Sequence, residues 1–145
     1  MANKVIGLDL GTTTLGIAQS DFLGFVHGVE TFHFDKNQYI VARKHVHELV
    51  AKTGIKELVI GLPLHLNGEM SEMAQNCLRF KDDLLKEDPT LKIEMFDERL
   101  STVSAHNSLS ARGVNHETRK ASVDRIAACV ILDTYIRRKE FNNGN

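Results

Sequence analysis

The chain reads as an α/β protein: one five-stranded mixed sheet in the order βββαβαβα, with helices on both faces. Three observations predict it. The first third holds three apolar, β-rich runs joined by short glycine-containing links, which suggests an antiparallel meander. The rest alternates helical periodicity with short apolar runs, as crossovers between parallel strands do. The run ELVIG at 57–61 is continuously apolar after its first residue, as in a central strand covered on both faces.

Taken in order, residues 4–10 and 14–20 are strands joined by a glycine-threonine turn, and 25–34 (FVHGVETFHF) is a third. Asp35 is placed to cap the first helix, with Gln38 three residues on as in a capping box. Tyr39, Ala42, Val46, Leu49 and Val50 recur at helical spacing, and Gly54 suits the position just past the helix end. A second helix is expected from about Ser71 to Asp88, with Ala74, Cys77, Leu78, Leu84 and Leu85 inward and Pro89 as its stop. Residues 91–97 (LKIEMFD) form the fifth strand. Ser101 is a candidate cap for a short helix ending at Gly113, and 113–120 reads as a loop. A last helix from about 121 to 138 turns Val123, Ile126, Ala127, Val130, Ile131 and Thr134 inward. A single domain over 1–139 with a frayed tail at 140–145 is the expected organisation.

Composition narrows the class. An apolar fraction of 42% and a charged fraction of 26% are ordinary for a soluble globular protein. The net charge of −1 carries no global signature of nucleic-acid binding, so such binding would need a local patch. Cys77 and Cys129 lack metal-ligand spacing and read as buried thiols in a reducing compartment. Nothing resembles a signal peptide or a membrane span, so the cytoplasm is the expected location. The seven histidines show no paired metal spacing; His45 and His47 are expected on exposed helix faces.

The chemistry lies in the acids. Asp9 sits in VIGLDLG, among Val5, Ile6, Leu8 and Leu10, where a lone buried charge is costly without a partner. Asp97 and Glu98 close the fifth strand in MFDERL. Asp124 opens the last helix, and the small Ala127 and Ala128 one turn on would let that helix approach the sheet. Converging carboxylates repel, and a hard divalent cation relieves the conflict. Oxygen donors select Mg²⁺ or Mn²⁺, and two such ions about 4 Å apart would clamp the attacking and leaving oxygens of a phosphodiester. Each acid also has a plainer reading as a cap or a solvated surface group. For Asp9 the apolar surroundings argue against it.

Four segments in order, GLDLGTTTLGIAQSD (7–21), VIGLPLHLNG (59–68), FDERLSTVSA (96–105) and VDRIAACVILDTYI (123–136), resemble the YqgF family, also called RuvX, whose members have an RNase H-like fold. The resemblance spans nearly the whole chain. It implies a metal-dependent nuclease with catalytic and metal-binding residues Asp9, Glu98 and Asp124, acting on the 5′ end of precursor 16S rRNA, with the ribosomal particle as a candidate setting. An older assignment for the family is resolution of Holliday junctions, a branched DNA substrate. Many RNase H-like enzymes end the fourth strand on an acid; here Gly61-Leu62-Pro63 stands there. The middle acid must then be Asp97 or Glu98, which lie on opposite faces, and Glu98 has the longer reach and the family precedent.

Around these, Gly11 and Gly16 suit a tight turn or a close backbone approach. Thr12, Thr13 and Thr14 could bind phosphate or simply favour a strand. Arg99 could meet phosphate, steer the carboxylates or form a structural ion pair. Arg112, Arg119, Lys120 and Arg125 are the expected nucleic-acid contacts, and Arg137, Arg138 and Lys139 make the C-terminal region locally basic. Two other classes compete. DLGTTTLG also resembles the phosphate-binding turn of actin-like kinases, which need a second domain. A catalytically silent RNA- or protein-binding module would be favoured by loss of an acid, and all three are present.

Overall fold

A computed structural model describes residues 3–101 and the helix 116–143, with side chains described for 3–101 and 125–141. Its elements are β1 (Ile6–Leu10), β2 (Thr14–Ser20), β3 (Val26–His33), α1 (Tyr39–Thr53), β4 (Glu57–Leu62), α2 (Glu72–Glu87), β5 (Lys92–Asp97), a single 3-10 turn (Glu98–Leu100) and α3 (His116–Asn143). The sheet order is β3-β2-β1-β4-β5. The meander pairs antiparallel, and β4 and β5 add to β1 in parallel. This is the predicted mixed sheet. Its central strand is β1, because both the meander and the crossovers need it as a neighbour.

Two cores follow from the period-two alternation of the strands. Ile6, Leu8, Leu10, Leu15, Ile17, Leu58 and Ile60 face α1 and α2, where Ala42, Val46, Cys77, Phe80 and Leu84 meet them. Val5, Ala18, Val59 and Phe96 face α3, where Ala127, Ala128, Ile131, Leu132 and Ile136 close the layer. The second layer is unusually close. A Cβ added at Gly7 would lie 2.7 Å from Leu132 Cβ and 3.1 Å from the Ala128 carbonyl, and one at Gly28 would lie 2.7 Å from Arg125 Cγ. The helix therefore rests on bare backbone, and the small Ala127 and Ala128 have the role expected of them.

Several boundaries differ from the sequence reading. Gln38, not Asp35, precedes α1, and its side chain makes no cap hydrogen bond. Asp35 contributes its carbonyl instead, accepting from the Gln38 amide, and Asn37 takes a left-handed φ of 63°. Gly54 does end α1 in the left-handed region, at φ 74°. Ser71 caps α2 by accepting from the Ala74 amide at 2.9 Å. The inward face of α2 includes Phe80, which the predicted line omits, while Leu78 is only half-buried.

The last helix begins at His116, inside the expected loop, and continues through Asn143 into the expected tail. Ile126 is exposed on it and Leu132 is buried, because the register against Gly7 selects Ala128 and Leu132. Most of the segment from Ser101 to Gly113 lies outside the described residues. His45 and His47 are half-buried rather than free. His45 stacks on Phe32 with ring centroids 3.9 Å apart and pairs with Glu30, and His47 meets Glu87 at 3.0 Å. Cys77 is buried and Cys129 half-buried, both as free thiols.

At the base of the sheet, buried Glu57 accepts from Lys139 Nζ at 2.7 Å and from the Tyr135 hydroxyl at 2.9 Å. Burial alone would raise its pKa, but these two donors hold the carboxyl below its usual range. They tie the C-terminal half of α3 to the start of β4, away from the acids at the other end of the strands.

Two outcomes follow. Gly7→Ala should destabilise the fold by ~1–3 kcal/mol, because Leu132 Cβ and the helix backbone must both retreat; urea unfolding measures it. A Glu57 pKa depressed in the native state contributes stability that is present above the unfolded value and lost as pH falls through the folded one. Glu57→Gln should therefore cost about 1–2 kcal/mol at pH 7, discounted for the partial exposure of Lys139, and the gap to wild type should close in acid. Melts from pH 7 down to pH ~3 would show the two curves converging.

Candidate active site

The C-terminal ends of β1, β4 and β5 converge, and two of the predicted acids meet there. Asp9 lies one residue before the end of β1 and faces the α3 side, in register with Gly16 on β2. On its other flank, continuation of the Leu8–Ile60 register places Gly61 beside it. Asp9 thus stands between two residues without side chains, and it is half-buried rather than enclosed. Gly16 belongs to mid-strand β2 and not to a turn.

Glu98 fills the space at Gly61. A Cβ on Gly61 would fall 2.6 Å from Glu98 Oε1 and 2.6 Å from Ile131 Cδ1. The carboxyl of Glu98 therefore reaches back from the end of β5 across β4, through the gap that Gly61 leaves. There it comes within reach of Asp9. Two carboxylates so close repel each other unless one is protonated or a cation lies between them. Burial accordingly raises the Glu98 pKa and the negative charge of Asp97 adds to the rise, while the contact with Asp9 opposes it. The effect extends beneath the sheet. Burial, with the charges of Glu98 and Asp9 added, pushes the Cys77 thiol up to about 12, so it stays protonated and inert.

Asp97 has other work. It faces away from Glu98, caps the 3-10 turn by accepting from the Arg99 amide at 2.9 Å, and takes a two-pronged bond from the Arg99 guanidinium. The prongs are Nε to Oδ1 at 3.0 Å and Nη2 to Oδ2 at 2.6 Å. These bonds hold the Asp97 carboxyl well below the usual range. Arg99 also donates to the Leu66 carbonyl at 3.3 Å and lies against Gly68, whose φ is 88°. Of the three roles open to Arg99, the structure displays the ion pair.

The remaining predicted residues are more dispersed. Gly11 turns the β1–β2 link, donating its amide to the Thr14 carbonyl at 2.8 Å. The carbonyls of Thr12 and Thr13 accept from the Asn37 and Phe34 amides, which binds that turn to the entry of α1. Thr14 is buried, and Thr12 is exposed. Arg125 is exposed, with its stem across Gly28 at the far side of the sheet. Arg119, Lys120 and Asp124 fall on α3, their side chains outside the described ones, and Arg112 lies outside the described residues altogether. Among the described residues no three His, Cys, Asp or Glu side chains gather around one point.

The Asp9–Glu98 pair nevertheless suits a hard divalent cation. Its donors are all oxygen, and the two groups need a positive charge to be ionised together. Gly61 is the participant that sequence reading missed. Its signal was the missing side chain at the one β4 position that faces Asp9.

Comparison with known proteins agrees with this architecture. The chain superposes on the RuvC of Thermus thermophilus in complex with a Holliday junction substrate, with a TM-score of 0.63 over 97% of both chains at 13% identity. A second Thermus thermophilus RuvC structure gives a TM-score of 0.57 at 15% identity, over 94% of this chain and 96% of that one. At those identities the likeness is one of fold, the RNase H-like one. Sequence relatives are closer. Proteins named "Putative pre-16S rRNA nuclease" match from Geobacillus sp. (strain WCH70), 37% identical over 94% of this chain and 99% of the relative, and from Staphylococcus carnosus (strain TM300), 34% identical over 94% and 96%. A family model described as "RuvX: Holliday junction resolvase" matches residues 3–138. With near-complete coverage on both counts, the chain belongs to the RuvX family.

Proposed function

We propose that the protein is a metal-dependent nuclease that hydrolyses phosphodiester bonds in precursor 16S rRNA, trimming its 5′ end during ribosome assembly. The observation that carries the chemistry is the meeting of Asp9 and Glu98 over two glycines. A structural role has little use for two carboxyl groups held this close without a cationic side chain between them; a cation site needs that pair. Asp124 is the proposed third ligand. It sits one helical turn before Ala128, on the helix that Gly7 admits closest to the sheet. Mg²⁺ or Mn²⁺ held there would supply Lewis-acid polarisation of the scissile phosphate and a water of lowered pKa.

The chain's own residues do the rest. Asp9, on the most constrained strand, fixes the position of the site. Glu98 brings the second charge from another strand, so its carboxyl can be set without moving β1. The RNA substrate rests on the names of relatives at 34% and 37% identity. Cleavage of a branched DNA junction is the second reading. It rests on the description of the family model and on the RuvC complex, a fold likeness at 13% identity. No helix among the described residues is long and apolar enough to cross a membrane. The proposed place of action is the cytoplasm, with its pool of precursor ribosomal particles.

Cleavage of 5′-extended precursor rRNA and of a four-way DNA junction, side by side in Mg²⁺ and in Mn²⁺, tests the assignment. Faster cleavage of the rRNA is expected, and preference for the junction would reverse the substrate reading. Asp9→Asn should lower single-turnover cleavage at least ~100-fold. Its metal-free melting temperature should not fall, because a carboxylate repulsion has gone. A destabilised but active variant would make Asp9 a structural acid. Gly61→Ala drives a methyl into Glu98 and Ile131. It should cost ~100-fold in rate, the scale of a 1 Å misplacement, while the variant still folds; cleavage and far-UV circular dichroism would be read together.

A further inference from the structure

We infer that Arg99 is a positioning residue, which sets the carboxyl of Glu98 by clasping Asp97 and the β4–α2 loop, and that it does not contact substrate phosphate. The inference rests on the proposed cation site at Asp9 and Glu98. In the sequence Asp97-Glu98-Arg99 the two outer residues bond to each other around the middle one. The Arg99 guanidinium forks onto both Asp97 oxygens at 3.0 and 2.6 Å, and the Arg99 amide donates to Asp97 Oδ1 at 2.9 Å. A side chain bonded to the residue two positions back closes a small ring through Glu98. That ring leaves Glu98 one direction to take, the opposite face of the sheet, where Gly61 makes room.

The clasp is anchored on its far side as well. Arg99 Nη1 donates to the Leu66 carbonyl at 3.3 Å, and a side chain at Gly68, φ 88°, would come within 3.2 Å of the same nitrogen. The loop that receives it is stiff. The Gly68 amide donates to the His65 carbonyl at 2.8 Å, the His65 amide to the Glu69 carbonyl at 2.9 Å, and the Glu69 amide to Asn67 Oδ1 at 3.0 Å. Ser71, the cap of α2, donates to the Pro63 carbonyl. Arg99 thus joins the end of β5 to the loop leaving β4, the two strands that supply Glu98 and its gap. Three of the five guanidinium N–H groups are committed in this way, and the Nε–Nη2 edge is already filled by the Asp97 carboxylate. Only a fork fits this arrangement, so lysine is an incomplete substitute.

The readouts are Mn²⁺ binding by electron paramagnetic resonance, RNA binding in EDTA, and hydrogen exchange over residues 64–69. Outer residues that orient a metal ligand typically change affinity 10–100-fold. Arg99→Gln and Asp97→Asn should each raise the Mn²⁺ dissociation constant about 10-fold per folded protein, Arg99→Lys should fall between them and wild type, and the double variant should be no worse than either single one. Exchange at 64–69 should speed up in both Arg99 variants. Affinity for a precursor rRNA fragment in EDTA should stay within about 2-fold of wild type. Loss of RNA affinity with a salt slope shallower by about one unit would make Arg99 a phosphate contact and overturn the inference. Unchanged Mn²⁺ affinity, even with a lowered melting temperature, would overturn it too. Asp9→Asn separates the two claims: if it leaves Mn²⁺ binding intact the cation site itself fails, whereas if it abolishes binding and Arg99→Gln does not weaken it, only the positioning role fails.

Discussion

Two carboxyl groups, Asp9 and Glu98, compete for one place at the end of the sheet, and neither can be fully charged while the other is. That repulsion is a destabilising term in the fold, and the surrounding structure is arranged to hold it. β1 is the central strand, paired on both sides, so Asp9 cannot withdraw. Glu98 is held by the turn that follows β5 and by the bond between its two neighbours. The stored repulsion is what a divalent cation would relieve, which couples cation binding to stability.

Glycine is the second part of this arrangement. Gly7 and Gly28 let α3 approach the sheet, while Gly61 leaves the gap that Glu98 fills beside Asp9. A side chain at Gly61 would meet Glu98 and Ile131 at once, so the same missing methyl serves both the site and the helix layer. Packing and chemistry meet at one residue there. At the other end of α3 the helix is fastened by Glu57, Tyr135 and Lys139.

Much of the fold was legible because it is local. Alternation marked the strands, the left-handed Gly54 marked the end of α1, and Ser71 marked the start of α2. Misreadings arose where tertiary contacts overrode local signals. Ile126 fits a helical stripe, but the register set by Gly7 turns it to solvent. His45 has the look of a surface residue until Phe32 and Glu30 are brought beside it. In the site, the opposite facing of Asp97 and Glu98 was readable from strand alternation. What distinguishes their surroundings was not: the Arg99 fork on Asp97 and the gap at Gly61 involve Leu66, Gly68 and Ile131, distant in the chain.

Diffraction from crystals soaked in Mn²⁺, with data at the manganese absorption edge, tests the central claim most directly. An anomalous peak within coordination distance of both Asp9 and Glu98 is the expected result. A fully occupied manganese elsewhere, with none at Asp9 and Glu98, would contradict the cation site.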